Sequence, residues 1–226
     1  MSCTLCGAKG PRTGCPRCED HQPSLFSLPP PPPPTERELA RAREEERLHV
    51  EGIAVRRGKL YALSTLGRPI TVALVGCAKH KATHRSQARD LYHGRLFALS
   101  LRYAERCTDL QFILSALHAL VRPDEELDPY DFGMSELRVR DRERWGERVA
   151  VSLETETRSL TLRLVGLAGE DYLKPLLIPF AGRGWMIEKP LVAMGVGSRV
   201  GWLTKQLAAF DDEQQPRRTA RSGGGR

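Results

Sequence analysis

Between residues 70 and 210 the chain alternates apolar runs of strand length with segments of helical period. Residues 70–75, 110–114 and 160–167 are short, β-branched and bounded by turn residues, which predicts three buried strands. Residues 86–107 place Ala88, Leu91, Tyr92, Phe97, Leu101 and Ala104 at roughly helical spacing. Helices are also expected over 134–155, 169–177 and 198–210. Strand and helix in turn predict a layered α/β domain with a mainly parallel sheet over 68–210.

Upstream the pattern changes. Thr35 is placed to cap a charged helix over 36–47, with Glu38 completing a capping box. Residues 49–64 alternate weakly around Gly52 and Gly58, as a small hairpin would, so 36–67 reads as a connector. Six consecutive prolines, 29–34, form a stiff polyproline II spacer within a linker over 23–35. Residues 211–226, rich in Gln, Arg and Gly, are expected to be a disordered tail.

Composition narrows the class. The chain has 226 residues, 40% hydrophobic and 28% charged, and no apolar run approaches the length of a membrane span. Its first residues do not form a charged-then-apolar leader, so the expected address is the cytoplasm. Net charge is +7, and its distribution matters more than its sum. From Arg68 to Arg106 eight Lys or Arg face two acids, Asp90 and Glu105. Such a field favours polyanions, nucleic acid first and phosphorylated metabolites second, although a solvated helix face would read the same way. The connector differs, because its seven Lys or Arg nearly cancel its six Glu.

Cysteine use also divides the chain. Cys3, Cys6, Cys15 and Cys18 form two Cys-x-x-Cys pairs within 1–22, while Cys77 and Cys107 stand apart. Each pair is flanked by Gly or Pro, which suits a tight knuckle whose thiolates converge on one tetrahedral cation. Four thiolates close the shell, so the expected metal is a structural zinc. Two disulfides or a rubredoxin-like iron site are the competing readings.

The candidate chemistry lies where the first strand ends. Gly76 is followed by Cys77, Lys79, His80, Lys81 and His84, and in an open α/β sheet such a loop sits at the carboxyl end of a strand, where ligands bind. Lys81, flanked by Lys79, Arg85 and Arg89, is expected either to act as a nucleophile or to stay charged and hold a phosphate. Cys77 is either an activated thiol or a small buried hydrophobe. His118 follows the second strand as Cys77 follows the first, so parallel strands would bring both to one edge, with His118 available as acid or base. Asp131, beyond Pro129, could stabilise an oxocarbenium ion or activate water, or it could simply form a turn. Gly195, Gly197, Ser198 and Arg199 precede or open the last helix and offer amide N–H groups to a phosphate.

Several stretches carry a family resemblance. Cys77-Ala-Lys-His-Lys81, Ala88-Arg-Asp-Leu-Tyr92, Ile113-Leu-Ser-Ala-Leu-His118 and Asp128-Pro-Tyr-Asp131 together resemble a bacterial and phage domain family of unknown function. The succession is similar to that of the YaaA peroxide-stress proteins. The Cys-x-x-x-Lys element resembles one in archaeosine synthases, whose core looks like that of uracil-DNA glycosylases. The likeness covers roughly residues 70–207 and departs from the usual pattern at Leu117, where lysine is more common, and at Ala119, where glycine is.

The archaeosine synthase resemblance implies that Lys81 attacks a substrate base. Two functions are therefore expected in competition. One is an enzyme acting on a nucleobase in DNA, or less readily RNA, by glycosylase-like or base-exchange chemistry. The other is a non-catalytic zinc-containing nucleic-acid-binding protein of stress or phage defence.

Overall fold

The structure is a computed structural model that describes residues 34–158 and 160–214. The cysteine pairs at 3, 6, 15 and 18, most of the proline spacer and nearly all of the expected tail lie outside the described residues. The chain divides into two compact units, Met1–Val55 and Arg56–Arg226.

The first described element is a helix, α1, Glu36–Ser64. The expected capping box opens it: Thr35 N–H donates to Glu38 Oε2 at 2.7 Å, and Glu38 N–H returns a long bond to Thr35 Oγ1 at 3.4 Å. These bonds hold the exposed Glu38 carboxyl below its ordinary value, the backbone N–H being the larger cause. The hairpin expected over 49–64 is instead a continuation of this helix. Gly52 and Gly58 each cost a helix about 1 kcal/mol, but the Ala, Leu, Arg and Glu around them are strong helix formers. Arg47 adds ion pairs to Glu44 and Glu51, both at 2.6 Å.

The second unit is built on a five-stranded sheet. Its strands are β1 (Ile70–Gly76), β5 (Leu110–Ser115), β6 (Ala119–Val121), β8 (Leu162–Leu167) and β9 (Ile187–Glu188), in spatial order β6-β5-β1-β8-β9. All neighbours are parallel except β5 and β6, which form a hairpin. Two-residue strands pair outside the sheet: β2 (His80–Lys81) with β4 (Tyr92–His93), and β3 (Ser86–Gln87) with β7 (Glu126–Leu127). The three expected strands are therefore present, within two residues of their expected bounds.

The central strand is buried on both faces, which explains its near-continuous apolar run. Ile70, Val72 and Leu74 share one core with Trp145, Val149 and Leu153 of α4 (Val139–Thr157). Ala73 and Val75 face the opposite core, with Phe97, Leu101 and Ala104 of α3 (Arg95–Cys107) and Leu203 of α7 (Val196–Gln214). Helices thus cover both faces. Asp109 ties the start of β5 to β1, accepting from Thr71 N–H at 2.8 Å and from both Arg68 guanidinium nitrogens at 2.8 Å.

The helix expected over 86–107 is broken. Ala88–Leu91 forms a single turn, α2, after which Tyr92 and His93 leave to pair with Lys81 and His80. Gly94 then turns the chain at φ 154, a conformation that side-chain-bearing residues rarely adopt, and α3 begins. Strand pairing overrides the helical period here. The segment expected as helix over 169–177 is likewise divided, into α5 (Glu170–Leu173), a 3₁₀ turn at Lys174–Leu176 and α6 (Leu177–Ala181). Among the described residues no helix is long and apolar enough to cross a membrane.

Candidate functional site

The strand order turns between β1 and β8. From β1 the chain passes through α3 to β5 on one side, and from β8 it passes to β9 on the other. At such a point the loops leaving adjacent parallel strands diverge and open a crevice at their carboxyl ends. A cleft of about 420 Å³ lies there, floored by Gly76–Ala78 and Leu167–Gly169 and walled by the first turns of α3 and α7 and by Tyr172. The floor is tight: a Cβ on Gly76 would stand 3.0 Å from the Ala168 Cβ.

Cys77, the first residue after β1, lines this cleft and connects it to a cluster of hydroxyls. Its Sγ shares a hydrogen bond with Tyr172 Oη at 3.1 Å. Tyr130 Oη in turn shares bonds with Tyr92 Oη and Ser115 Oγ, each at 2.8 Å, and Ser115 Oγ accepts from His118 N–H at 2.9 Å. Trp145 braces the group from behind, donating Nε1–H to the Ser115 carbonyl at 2.8 Å and standing edge to face with Tyr172 at 5.8 Å.

Burial decides the ionisation of these phenols. It pushes Tyr130 up to about 12, opposed by the hydrogen bonds from Ser115 and Tyr92 and reinforced by the neighbouring Cys77 thiol. Tyr92 and Tyr172 are raised further, again mainly by burial, with Tyr130 adding to the first and Cys77 to the second. All three stay protonated at neutral pH and are available as O–H donors.

The expected residues distribute unevenly over this site. Cys77 and His118 both come to Tyr130, whose ring is 5.1 Å from the His118 ring and whose hydroxyl feels the Cys77 thiol. Lys81 is brought there by the β2–β4 pairing: its Nζ lies 4.2 Å from the Tyr130 ring centroid and donates to the Lys79 carbonyl at 3.3 Å. Asp131 is exposed, with no hydrogen bond or ion pair among the described residues. Its neighbour Tyr130 enters the cluster instead.

Lys79 is exposed. Arg85 and Arg89 point to carboxylates, Glu126 at 3.1 Å and Glu105 at 3.7 Å, while Arg68 and Arg106 hold Asp109 and Asp211. Four of the eight basic residues counted between 68 and 106 are therefore engaged, and the stretch is not one free positive face. Gly195, Gly197 and Ser198 are exposed, and a Cβ on either glycine would meet nothing within 4 Å. Arg199 is the member of that group that reaches the cleft, its Nε–H donating to the Met194 carbonyl at 2.8 Å.

Several participants carried no single-residue signal. Tyr172 looks like an ordinary element residue, while Tyr92, Ser115 and Tyr130 lie within the resembling stretches without a chemical signal that singles them out. Ser100, on α3, also lines the cleft; it is 1% exposed and its Oγ has no partner among the described residues. An unsatisfied buried hydroxyl costs roughly 1–3 kcal/mol. A larger groove of about 830 Å³ runs between α4 and α5–α6, but its lining brings together surface carboxylates and basic residues with exposed Val139 and Ile178 and no buried polar group.

No curated protein and no solved structure matches the chain. A family model described as a family of unknown function (DUF6884) matches residues 72–205, a span that begins inside β1, ends inside α7 and contains the whole hydroxyl cluster and its cleft. The chain belongs to this family.

Proposed function

We propose that the domain is an enzyme acting on a nucleobase, by glycosylase-like or base-exchange chemistry, on a substrate drawn from nucleic acid, with DNA ahead of RNA. The observation that carries this reading is the position of Cys77. It stands between a cleft at the strand switch and a set of neutral phenols whose O–H groups can hydrogen-bond a departing base. The resemblance of Cys77-Ala-Lys-His-Lys81 to archaeosine synthases supports the same class of reaction.

In the hydrolytic form, water adds to the sugar carbon and the carbon–nitrogen bond breaks. The electron pair leaves with the base, which takes up a proton while the attacking water gives one up to the cluster, so that one water is added across the broken bond. Of the two roles open to Lys81, the ring of Tyr130 beneath its amine favours the charged one, since a π face stabilises an ammonium. Lys81 then holds a phosphate or the developing negative charge. His118 is placed to pass protons between the cluster and water, because it is exposed on one side and against Tyr130 on the other. Asp131, exposed and next to Tyr130 in the chain, is the carboxylate available to activate the water. Arg85 and Arg89 serve substrate binding only if their carboxylate partners release them, and Lys79 and Arg199 are the freer phosphate contacts.

The test is mass spectrometry of free bases and nucleosides after incubation of the full chain with modified and unmodified DNA and RNA. Base release or exchange should appear with the wild type and fall at least tenfold in Cys77→Ala and in Lys81→Ala, while Lys81→Arg keeps most of it. Full turnover in both alanine variants would remove these residues from the chemistry. A structural zinc on Cys3, Cys6, Cys15 and Cys18 belongs to the same proposal. Elemental analysis should find about one zinc per chain, lost when Cys15 and Cys18 become Ser.

A further inference from the structure

We infer that the cleft between the N-termini of α3 and α7 is a subsite for a phosphate monoester, so that the substrate is a nucleotide bearing a terminal phosphate. The organic part of that ligand rests on the nucleobase reading above, whereas the phosphate subsite stands on the cleft itself. Two long helices, Arg95–Cys107 and Val196–Gln214, begin at its wall. The first has Gly94 at its N-cap and no side chain capping it, so the amide N–H groups of its opening turn are left for something else. An oxyanion seated there would meet the positive ends of two helix dipoles.

The independent observation is Ser100. It lies one turn further along α3, lines the same cleft, and is buried with an unpartnered Oγ. Buried hydroxyls are almost always satisfied, and an exception at the foot of a cleft is explained by a ligand oxygen, or a water that the ligand orders. Arg95 and Arg199 add two guanidinium groups to the wall. Asp171 is the one carboxylate there; it is largely exposed and lies 3.8 Å from Arg142, which offsets its charge.

The charge favours a monoester over a diester. A terminal phosphate carries about −1.5 to −2 near neutral pH and a backbone diester only about −1, and two helix ends with two arginines match the former. A volume of about 420 Å³ has room for a phosphate with its sugar. Cys77, on the floor, places the next bonds of the ligand toward Tyr172 and the hydroxyl cluster.

Isothermal titration of the full chain tests this with nucleoside 5′-monophosphates, the matching nucleosides, inorganic phosphate, and one oligonucleotide with and without a 5′-phosphate. Monophosphates should bind at least about tenfold more tightly than nucleosides, and inorganic phosphate should compete with them. The 5′-phosphate should improve oligonucleotide binding. Ser100→Ala and Arg199→Ala should each weaken monophosphate binding by about fivefold or more while leaving nucleoside binding unchanged and not lowering the melting temperature.

Equal affinity for nucleoside and monophosphate, or a preference for the oligonucleotide lacking the terminal phosphate, would overturn the subsite. So would monophosphate binding indifferent to both substitutions. The two readings fail separately: monophosphate binding without base release from any substrate removes the nucleobase chemistry alone, and base release from unphosphorylated substrates without phosphate binding removes the subsite alone.

Discussion

The two sides of β1 at its carboxyl end are built on opposite terms. Toward β5, Ser115, Tyr130 and Tyr92 satisfy one another, His118 and Trp145 complete the set, and nothing external is needed to hold the arrangement. Toward β8, a buried Ser100 hydroxyl has no partner and the α3 N-terminus has no side-chain cap. The first side is a finished scaffold, whose removal should damage the fold. The second carries unmet polar groups that cost stability in the free protein, as a surface prepared for a ligand does.

The comparison is broken most severely at Trp145. It is fully buried, supports Ser115 through its indole N–H and backs Tyr172 with its ring. Trp145→Ala should lose about 3–5 kcal/mol in urea unfolding, since a large core cavity and an unpaired carbonyl are created together. A loss under about 1 kcal/mol would mean that the scaffold side is not what holds this edge together.

A smaller effect is expected at Tyr130. Tyr130→Phe keeps the ring under Lys81 but strips Ser115 Oγ and Tyr92 Oη of a shared partner, so stability should fall by about 1–3 kcal/mol. Its pH dependence has a definite sign. The phenol pKa values are raised in the folded state, to about 12 for Tyr130, so their contribution is complete below the unfolded tyrosine value near 10 and is lost as pH rises through the folded values. Wild-type stability should therefore decline from about pH 10 upward, and Tyr130→Phe should decline less steeply. Identical alkaline limbs would place the phenols outside the folding equilibrium.

Asp109 sharpens the picture at the opposite end of the sheet. Arg68 and the Thr71 N–H lower its carboxyl, Arg68 being the larger cause and burial opposing it, so its contribution is present above the unfolded carboxylate value and is lost as pH falls through the folded one. Because the arginine is half exposed, Asp109→Asn should cost only about 1 kcal/mol at neutral pH and should flatten the acid limb, as measured by melting temperature from pH 7 to 3.

The smallest expected effect is the most telling. Ser100→Ala should leave stability unchanged or raise it by up to about 1 kcal/mol, because it removes an unsatisfied buried hydroxyl. A loss comparable to that at Tyr130 would erase the difference between the two sides of β1.

Much of the architecture was legible in the chain. The two-sided burial of β1 produces its unbroken apolar run, and the Thr35–Glu38 box announces where α1 begins because its chemistry is local. The bounds that shifted did so for two reasons, a local propensity that was underweighted and pairing with residues elsewhere in the chain. Residues 49–64 became helix because weak alternation could not outweigh good helix formers, while the helix expected from 86 was cut to one turn by strand pairing of 86 and 87 with 126 and 127 and of 92 and 93 with 80 and 81.

The candidate site divides in the same way. A strand ending in Gly76-Cys77 and a lysine four residues later can be read from a parallel-sheet pattern, because ligands gather at the carboxyl ends of such strands. That Tyr130 and not Asp131 turns inward depends on the tertiary structure. So does the pairing of four arginines with carboxylates, three of them more than forty positions away in sequence. Composition counts charges without their partners. Local sequence thus determined the strands, the cap and the loop that holds the candidate residues, while the path of the sheet decided which hydroxyls satisfy each other and which is left open, because those contacts join residues that only the strand order brings within hydrogen-bonding distance.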